Sequence, residues 1–285
     1  MHTTSTENRE GGALESYPMH RRAIPRGVLR IGRYMLRYAS DVEDLRSIQR
    51  LRYEVFNEEL GEGLASSAAT GLDQDAVDAR CHHLMVLEAE SGKVVGTYRV
   101  MLAEMTIGHG FYSEAEYHLD AIPMAIRSEA VEAGRACVAA EHRNGRVVQL
   151  LWRGLARYLV WNDRRYLFGC CSVPTTDPTE AHGIHDELVR IGAKHPELRV
   201  RATDAYRCPA PEEGVVTEKP SIPALFASYL KLGAKVLSGP AIDREFRVTD
   251  FFILLDLGEI DPHVRRSFVE RGGWTGEREL TVGTA

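Results

Sequence analysis

The residues best suited to chemistry lie between 132 and 161, where a short strand, a basic turn and an amphipathic helix follow one another. Glu132 and Arg135 place opposite charges on the strand. The turn that follows carries two arginines and a glycine: Arg143, Gly145 and Arg146. Free backbone N–H groups at a helix N-terminus, together with the helix dipole, favour a phosphate group. The stretch therefore predicts an anion site beside a charged strand, although taken alone it also fits an ordinary βαβ unit with surface arginines.

The segment after this turn has the pattern of an amphipathic helix followed by a strand. Its apolar residues keep the i, i+3/i+4 spacing of one buried face: Val147, Val148, Leu151, Leu155, Tyr158 and Leu159. Residues 167–173 are apolar and β-prone, so we predict a second strand there. Strand, anion turn, helix and strand in this order are typical of the core of an acyl-CoA-type N-acyltransferase.

The composition limits the broad class of protein. The chain has 285 residues, of which 44% are hydrophobic and 27% charged, as in a globular protein. No apolar run approaches the ~18 residues of a membrane span, and no signal peptide is visible. The five cysteines are an odd number without a CxxC spacing, which argues against a disulfide scaffold or a zinc site. We therefore expect a cytoplasmic protein with no bound metal.

Charge is unevenly distributed along the chain. The formal net charge of −6 argues against nucleic acid as a partner. Arginines nevertheless crowd two zones, one near the N-terminus and one along the central helix and its ends: Arg21, Arg22, Arg26, Arg30, Arg33 and Arg37, and Arg143, Arg146, Arg153, Arg157, Arg164 and Arg165. Such zones are expected to meet a phosphate ligand, an acidic protein or an anionic bilayer surface, although each arginine alone fits a solvated face equally well.

Local signals predict one domain, spanning residues 29–273. Residues 1–28 lack periodicity and are expected to form a mostly disordered basic segment, and residues 274–285 a tail. Between them we predict these elements: a strand at 29–39, a helix from a capping box at 40–43 to about 60, a hairpin of 83–88 and 93–102 around Ser91-Gly92, a helix at 179–193, a strand at 199–206, a helix at 222–232, and strands at 235–238 and 250–257.

The order of these elements resembles the GNAT N-acyltransferase fold, an α/β fold with a mixed central sheet flanked by helices. More specifically, the chain is similar to the ornithine-(acyl-carrier-protein) N-acyltransferases, which begin ornithine-lipid synthesis, and to N-acyl amino acid synthases. The matching pieces lie within residues 29–257: Leu51-Arg-Tyr-Glu-Val-Phe56, 71–78 with His82-His83-Leu84, Val95-Gly-Thr-Tyr-Arg99, Glu132-Ala-Gly-Arg-Ala-Cys-Val138, Leu151-Trp-Arg-Gly-Leu155, and 229–256.

The same landmarks are similar to those of the acyl-homoserine-lactone synthases. The helix, the acidic pair and the charged strand of those enzymes correspond here to Arg52 and Phe56, to Asp75 and Asp78, and to Glu132 and Arg135. One departure concerns the turn, where acetyl-CoA enzymes of the fold carry Gln/Arg-x-x-Gly-x-Gly/Ala and only Gly145 is in register here. This looser phosphate cradle favours a protein-tethered phosphopantetheine over free CoA as the donor.

The resemblance implies a role for each matching residue. Glu132 and Arg135 would be the catalytic pair, with Glu132 as the general base, unless the two form a structural salt bridge; His82 or His83 is an alternative base. A backbone N–H within 136–138 would stabilise the oxyanion. The acceptor would be bound by Arg52, Phe56, Asp73, Asp75, Asp78 and Arg99, with arginine holding a carboxylate and the aspartates holding a cation or ordering the loop. Phosphopantetheine would be bound by Arg143, Gly145 and Arg146.

The resulting prediction is an acyltransferase of lipid biosynthesis. It would move an acyl or 3-hydroxyacyl chain from acyl carrier protein to the α-amine of an amino acid, with L-ornithine as the first choice, giving a lyso-ornithine lipid. The donor would be an acyl-phosphopantetheine thioester, with no tightly bound cofactor. The protein is expected in the cytoplasm, and peripheral attachment to the inner face of the membrane stays open as an alternative. The alternatives are another amino-acid acceptor, an acyl-homoserine-lactone-type synthase, and a non-catalytic membrane- or carrier-binding protein.

Overall fold

A mixed sheet forms the centre of the computed structural model, which describes residues 16–63, 65–211, 221–262 and 274–275. The strands are these: β1 (Val28–Ile31), β2 (Tyr34–Tyr38), β3 (His82–Glu88), β4 (Val94–Leu102), β5 (Ala130–Val138), β6 (Tyr166–Val173), β7 (Lys235–Val236), β8 (Ala241–Asp243), β9 (Val248–Asp256) and β10 (Trp274–Thr275). Their order in the ten-stranded sheet is β10-β1-β2-β3-β4-β5-β6-β9-β7, with β8 beside β9.

The pairing of β5 with β6 sets the shape of the molecule. It is the parallel pairing in an otherwise antiparallel sheet, and it joins only Ala130, Val131 and Glu132 to residues 166–168. Beyond Glu132 the two strands are no longer paired, whereas β6 stays paired with β9 along its full length. The sheet is therefore open between β5 and β6 on the C-terminal side of Glu132, and we call this opening the fork.

In the part of the chain that the structure describes, five α-helices flank the sheet: α1 (Val42–Tyr53), α2 (Met124–Arg127), α3 (Arg146–Trp161), α4 (Pro178–Arg190) and α5 (Ala224–Lys231). The side chain of Asp41 caps α1 by accepting a hydrogen bond from Asp44 N, and a π-helical turn, Glu54–Glu59, continues the helix. The α3 helix connects β5 to β6 and packs on β2, β3 and β4. Helices on a mixed sheet confirm the predicted fold class.

Glycine allows α3 to approach the sheet closely. A Cβ at Gly154 would lie 2.3 Å from Leu84 Cδ2, and one at Gly96 of β4 would lie 2.4 Å from Val147 Cγ1. Tyr38 on β2 adds a hydrogen bond of 2.8 Å from its hydroxyl to the carbonyl oxygen of Gly154. These contacts hold α3 against β2, β3 and β4.

Several local predictions differ from the structure. The strand expected at 29–39 is a hairpin, because Gly32 adopts a left-handed conformation (φ 58°) and turns the chain between β1 and β2. The strand expected at 199–206 is absent, since Val200 and Ala202 form only isolated bridges and Asp204–Tyr206 is a 3₁₀ turn. The short strand β8 was not predicted.

The ends of the chain also differ from expectation. Tyr17, in the segment expected to be disordered, is buried and bonds through its hydroxyl to His83 Nδ1 at 2.9 Å. The Met19 carbonyl oxygen accepts a hydrogen bond from His82 Nε2 at 2.7 Å. Residues 274–275, expected in the tail, pair with β1, while residues 1–15 and 276–285 lie outside the described residues. In the parts of the chain that are described, none of the helices has the length and apolarity that a bilayer crossing needs.

Candidate active site

A cavity of about 320 Å³ lies in the fork. Its walls come from both sides of the opening, with Glu132 through Ala136 of β5 and Leu167 through Ser172 of β6, and it extends to β9 and to α5. Gly169 is required where the strands separate, because a Cβ there would lie 2.2 Å from the Ala133 carbonyl oxygen. The cavity is thus a direct consequence of the short parallel pairing.

A β-bulge directs Arg135 towards this cavity. Arg135 and Ala136 on β5 together face Tyr98 on β4, and Arg135 takes a positive φ of 50°. A non-glycine residue in this conformation is strained, and such strain is typical of functional sites. The guanidinium packs over the rings of Phe246 at 4.3 Å and Phe56 at 5.4 Å.

The Arg135 guanidinium is only partly satisfied. One terminal nitrogen lies 3.3 Å from Asp73 Oδ2, and the side chain is 11% exposed. Within the described residues, Nε and Nη2 of Arg135 have no hydrogen-bond partner. The structure therefore leaves cationic donors of Arg135 available at the cavity wall.

Glu132 is buried at the base of the fork, and its carboxylate is held by Tyr112 and Ser113, which also line the cavity. Oε2 accepts a hydrogen bond of 2.7 Å from Tyr112 N, and Oε1 accepts from Ser113 N at 2.8 Å and from Ser113 Oγ at 2.5 Å. Burial raises the pKa of Glu132, and these hydrogen bonds oppose the rise. The opposite charges of Glu132 and Arg135 thus have different partners.

Next to the fork lies a buried network of ion pairs. Arg52 is fully buried, and its guanidinium donates to Asp73 at 2.7 Å and to Asp78 at 2.8 Å. Arg99 donates to Asp78 at 2.9 Å and to both oxygens of Asp75 at 2.6 and 2.8 Å. Burial works against ionisation of Asp78, yet Arg52 and Arg99 hold its pKa well below the usual range.

This network separates the predicted acceptor residues into two sets. Phe56 and Arg99 line the cavity together with Glu132 and Arg135. The remaining acceptor residues are not part of the lining: Arg52 pairs with Asp73 and Asp78, and Asp75 pairs with Arg99. Direct contact of these residues with a substrate stays a prediction. The ion pairs show that the chain itself supplies carboxylates for Arg52 and Arg99.

The predicted phosphate turn lies at the N-terminus of α3, outside the cavity lining. Gly145 caps the helix with a positive φ of 83°, which a residue with a side chain rarely adopts. Asn144 Oδ1 accepts a hydrogen bond of 3.1 Å from Arg146 N. Arg143 is paired with Glu59 and donates from Nε to the Val138 carbonyl oxygen at 3.0 Å. Gly145 and Arg146 are exposed, so this end of α3 is open to a ligand.

The alternative bases lie away from the cavity. His82 and His83 are both buried, and neither lines the cavity. His82 Nδ1 lies 2.7 Å from the Tyr158 hydroxyl, and burial lowers the pKa of His82 to about 4. Their contacts tie the N-terminal segment and α3 to β3.

The cavity also contains an acidic group that the sequence did not reveal, formed by Glu116, Asp243 and Asp250. Ser172 Oγ donates to Asp250 Oδ1 at 2.6 Å, and the backbone N–H groups of residues 245 and 246 donate to Asp243 Oδ1 at 2.8 and 2.9 Å. Glu116 Oε2 lies 3.6 Å from the Cys170 thiol. Burial and the neighbouring acids raise the pKa of Glu116 to about 9 and contribute to a raised Asp250 pKa of about 6.

This acidic group has metal-ligand residue types. Ligand atoms of Glu116, Cys170 and Asp250 all lie within 4.8 Å of one another. Burial raises the pKa of the Cys170 thiol well above its usual value, so this side chain carries its proton in the metal-free protein.

Several known proteins are similar to this chain. Residues 51–153 match the acetyltransferase (GNAT) domain family. Among solved structures, FeeM, an N-acyl amino acid synthase from uncultured soil microbes, covers 83% of this chain and 96% of its own chain, with 13% identity and a TM-score of 0.46.

The curated relatives are more similar in sequence. An L-ornithine N(alpha)-acyltransferase of Rhodobacter capsulatus is 32% identical over 251 residues, which are 84% of this chain and 95% of the relative. One of Rhizobium meliloti is 32% identical over 252 residues, which are 81% of this chain and 82% of the relative. The resemblance drawn from the motifs is thereby confirmed, and the chain belongs to the L-ornithine N(alpha)-acyltransferase family.

Proposed function

We propose that this acyltransferase moves an acyl or 3-hydroxyacyl chain from acyl carrier protein to the α-amine of L-ornithine, giving a lyso-ornithine lipid. The observation that carries the proposal is the fork, where a buried carboxylate and an unsatisfied guanidinium line one cavity. The relatives named above act on ornithine by their names, which supports ornithine as the acceptor. A direct assay incubates the purified protein with ornithine and with acyl carrier protein loaded with a 3-hydroxyacyl chain. The product measured is N-acylornithine.

The chemistry requires one proton acceptor and good alignment. The ammonium first loses one proton, which Glu132 accepts and passes to solvent. The free amine then attacks the thioester carbonyl carbon, the C–S bond breaks, and the thiolate leaves with the electron pair. We assign Glu132 also as the base that takes the second proton from the nitrogen as the amide forms and delivers it to the thiolate. Oε2 accepts one hydrogen bond in the structure, which leaves this oxygen a further acceptor position for that proton.

The residues around Glu132 are assigned to orient the substrates. Arg135, Arg99 and Phe56 contact the acceptor, since all three line the cavity. A bulge leaves an extra residue outside the hydrogen-bond ladder. A backbone N–H beside the bulge, within 136–138, is therefore assigned to the oxyanion.

The buried aspartates and Arg52 serve the acceptor site indirectly in this proposal. Arg52 joins α1 to the loop that carries Asp73 and Asp78. Arg99 joins the same loop to β4 through Asp75. These residues are positioning residues that hold Arg99 and Arg135 at the cavity wall.

The donor is proposed to be acyl carrier protein and not free CoA. Arg146 is exposed at the N-terminus of α3, and Arg33 lies within 3.5 Å of His142 on the same side of the fork. Charge-driven docking weakens with salt, because the Debye length falls from ~10 Å at 0.1 M to ~3 Å at 1 M ionic strength. We expect kcat/KM with the acyl carrier protein to fall steeply as salt rises, and Arg146→Gln to reduce it further at low salt.

The control for this donor prediction is Arg46→Gln, which removes an exposed arginine of α1 far along the chain from the turn. Acyl-CoA of the same chain length is tested in parallel at each ionic strength. Equal efficiency with both donors, together with rates that do not depend on salt, would contradict the carrier protein as the donor.

The exposed arginines at the N-terminal side are proposed to bind an anionic membrane surface, where a single-chain lipid product can leave. Five of them are exposed: Arg21, Arg22, Arg26, Arg30 and Arg33. Arg37 is excluded, since it is paired with Asp44 through two hydrogen bonds. Each basic residue near an anionic leaflet contributes ~1 kcal/mol, so five can give weak binding.

Sedimentation with anionic vesicles tests this membrane proposal. Replacing the five exposed arginines with glutamine is expected to abolish co-sedimentation, whereas replacing them with lysine should preserve it. If the glutamine and lysine variants partition equally, the arginines do not bind the membrane.

A further inference from the structure

The acidic group in the cavity differs from the other buried acids of this protein. Asp73, Asp75 and Asp78 each face an arginine within ion-pair distance. Glu116, Asp243 and Asp250 are equally buried, at 3%, 3% and 4% exposure. Within the described residues, however, no arginine, lysine or histidine lies within ion-pair distance of these three. A buried carboxyl without a cation is costly to ionise, so this group would be stabilised by a cation that a ligand brings.

A second observation comes from the other side of the same cavity. The Arg135 guanidinium, which is 11% exposed, has two nitrogens without a hydrogen-bond partner in the described residues. Phe246 connects the two features, because its ring packs 4.3 Å from Arg135 Cζ and its backbone N–H donates to Asp243. One cavity thus offers a guanidinium with two nitrogens that lack a hydrogen-bond partner and, in the described residues, a set of acids without a cationic side chain at ion-pair distance.

A chain of contacts links Glu132 to this acidic group. Glu132 Oε1 accepts from Ser113 Oγ at 2.5 Å. The Cys170 thiol lies 3.4 Å from Ser113 Oγ and 3.6 Å from Glu116 Oε2. The proposed base and the acidic group are therefore parts of one continuous wall, close enough for a single small molecule to contact both.

We infer that Glu116, Asp243 and Asp250 bind the side-chain ammonium of the acceptor, while Arg135 binds its α-carboxylate. The site would thus select an α,ω-diamino acid as the acceptor and place its α-amine beside Glu132. This inference rests on the proposed function and adds to it the residues that select the acceptor. The raised pKa values of Glu116 and Asp250 agree with an excess of negative charge that an ammonium would relieve.

The first test compares L-ornithine with L-norvaline, which has the same carbon chain without the terminal amine, on the wild-type enzyme. A site built for a polar group strongly rejects the analogue that lacks it, so kcat/KM for norvaline should be lower by about 10²-fold or more. Similar values for the two amino acids would overturn the inference while leaving acyl transfer to amino acids standing. If neither is acylated, the proposed function fails, and calorimetric binding of ornithine against norvaline still decides the inference.

The second test changes the acidic group itself. Glu116→Gln and Asp250→Asn should each lower the ornithine-to-norvaline ratio of kcat/KM by about tenfold or more, and the circular dichroism spectrum of each variant reports whether it is folded. The matched control is Glu114→Gln, an exposed acid on the same segment, which should leave the ratio unchanged. A ratio that stays at the wild-type value in both cavity variants would overturn the assignment.

Discussion

Glu132→Gln is expected to lower kcat by about 10²–10⁴-fold, the usual contribution of a positioned general base, with little change in KM for the acceptor. Glutamine keeps the shape of the side chain, and its carbonyl oxygen can replace Oε1 and accept from Ser113, while its NH2 group faces the Tyr112 N–H and loses that one hydrogen bond. It cannot take a proton from the ammonium. Steady-state kinetics with acyl carrier protein and ornithine measures the effect.

The pH profile separates this catalytic role from a structural one. A base must be deprotonated to act, so wild-type kcat/KM should rise with pH through the Glu132 pKa, which burial raises above its ordinary value. That rise should disappear in the glutamine variant. Glu129→Gln, an exposed neighbour at the start of β5, is the control and should behave as wild type. Near-wild-type turnover of Glu132→Gln would instead assign this carboxylate to holding Tyr112 and Ser113 in place.

Arg52→Met is expected to lower the free energy of unfolding by about 3–5 kcal/mol, because it leaves Asp73 and Asp78 buried without their main cation. Methionine keeps much of the side-chain volume of arginine, so the loss of stability reports the lost positive charge and not a new cavity. Arg50→Met changes an exposed arginine on the same helix and should alter the free energy by less than about 0.5 kcal/mol. Denaturant unfolding of both variants gives the comparison.

The change in the free energy of unfolding as the pH falls gives a further test of the Arg52 ion pairs. The folded-state pKa of Asp78 is depressed, so its ionisation stabilises the fold above the ordinary aspartate pKa of about 3.9. This stability is lost as pH falls from there through the lower folded-state pKa. Wild-type protein should show this loss, and Arg52→Met should show less of it. A variant with wild-type stability and reduced acceptor affinity would mean that Arg52 binds substrate directly.

The parts of the fold that carry local signals could be predicted from the sequence. The β3–β4 hairpin follows from a Ser91-Gly92 turn between two apolar runs, and α3 follows from its apolar spacing. The charged strand and the turn before α3 are also consecutive in sequence. Those signals were enough to place Glu132 and Arg135 on β5, where the structure has them.

The acidic group could not be predicted, because Glu116 is distant in sequence from Asp243 and Asp250 and the three lack a shared pattern. Glu116 lies in an irregular segment, whereas Asp243 lies on β8 and Asp250 on β9. They meet because β8 and β6 both pair with β9, because Cys170 of β6 contacts Glu116, and because Glu132 holds the irregular segment. The residue type of Arg52 does not reveal whether its guanidinium binds a substrate or is already paired within the protein. Only the structure shows that it is paired with Asp73 and Asp78.

The central claim is acyl transfer to ornithine, and lipid analysis tests it most directly. The gene is expressed in a bacterial host that makes no aminolipids, and total lipids are extracted and analysed by mass spectrometry. The account predicts a new lyso-ornithine species, N-acylated through a 3-hydroxyacyl or acyl chain, that is absent with Glu132→Gln. A different acylated amino acid, or an unchanged lipid profile despite folded protein in the host, would contradict it.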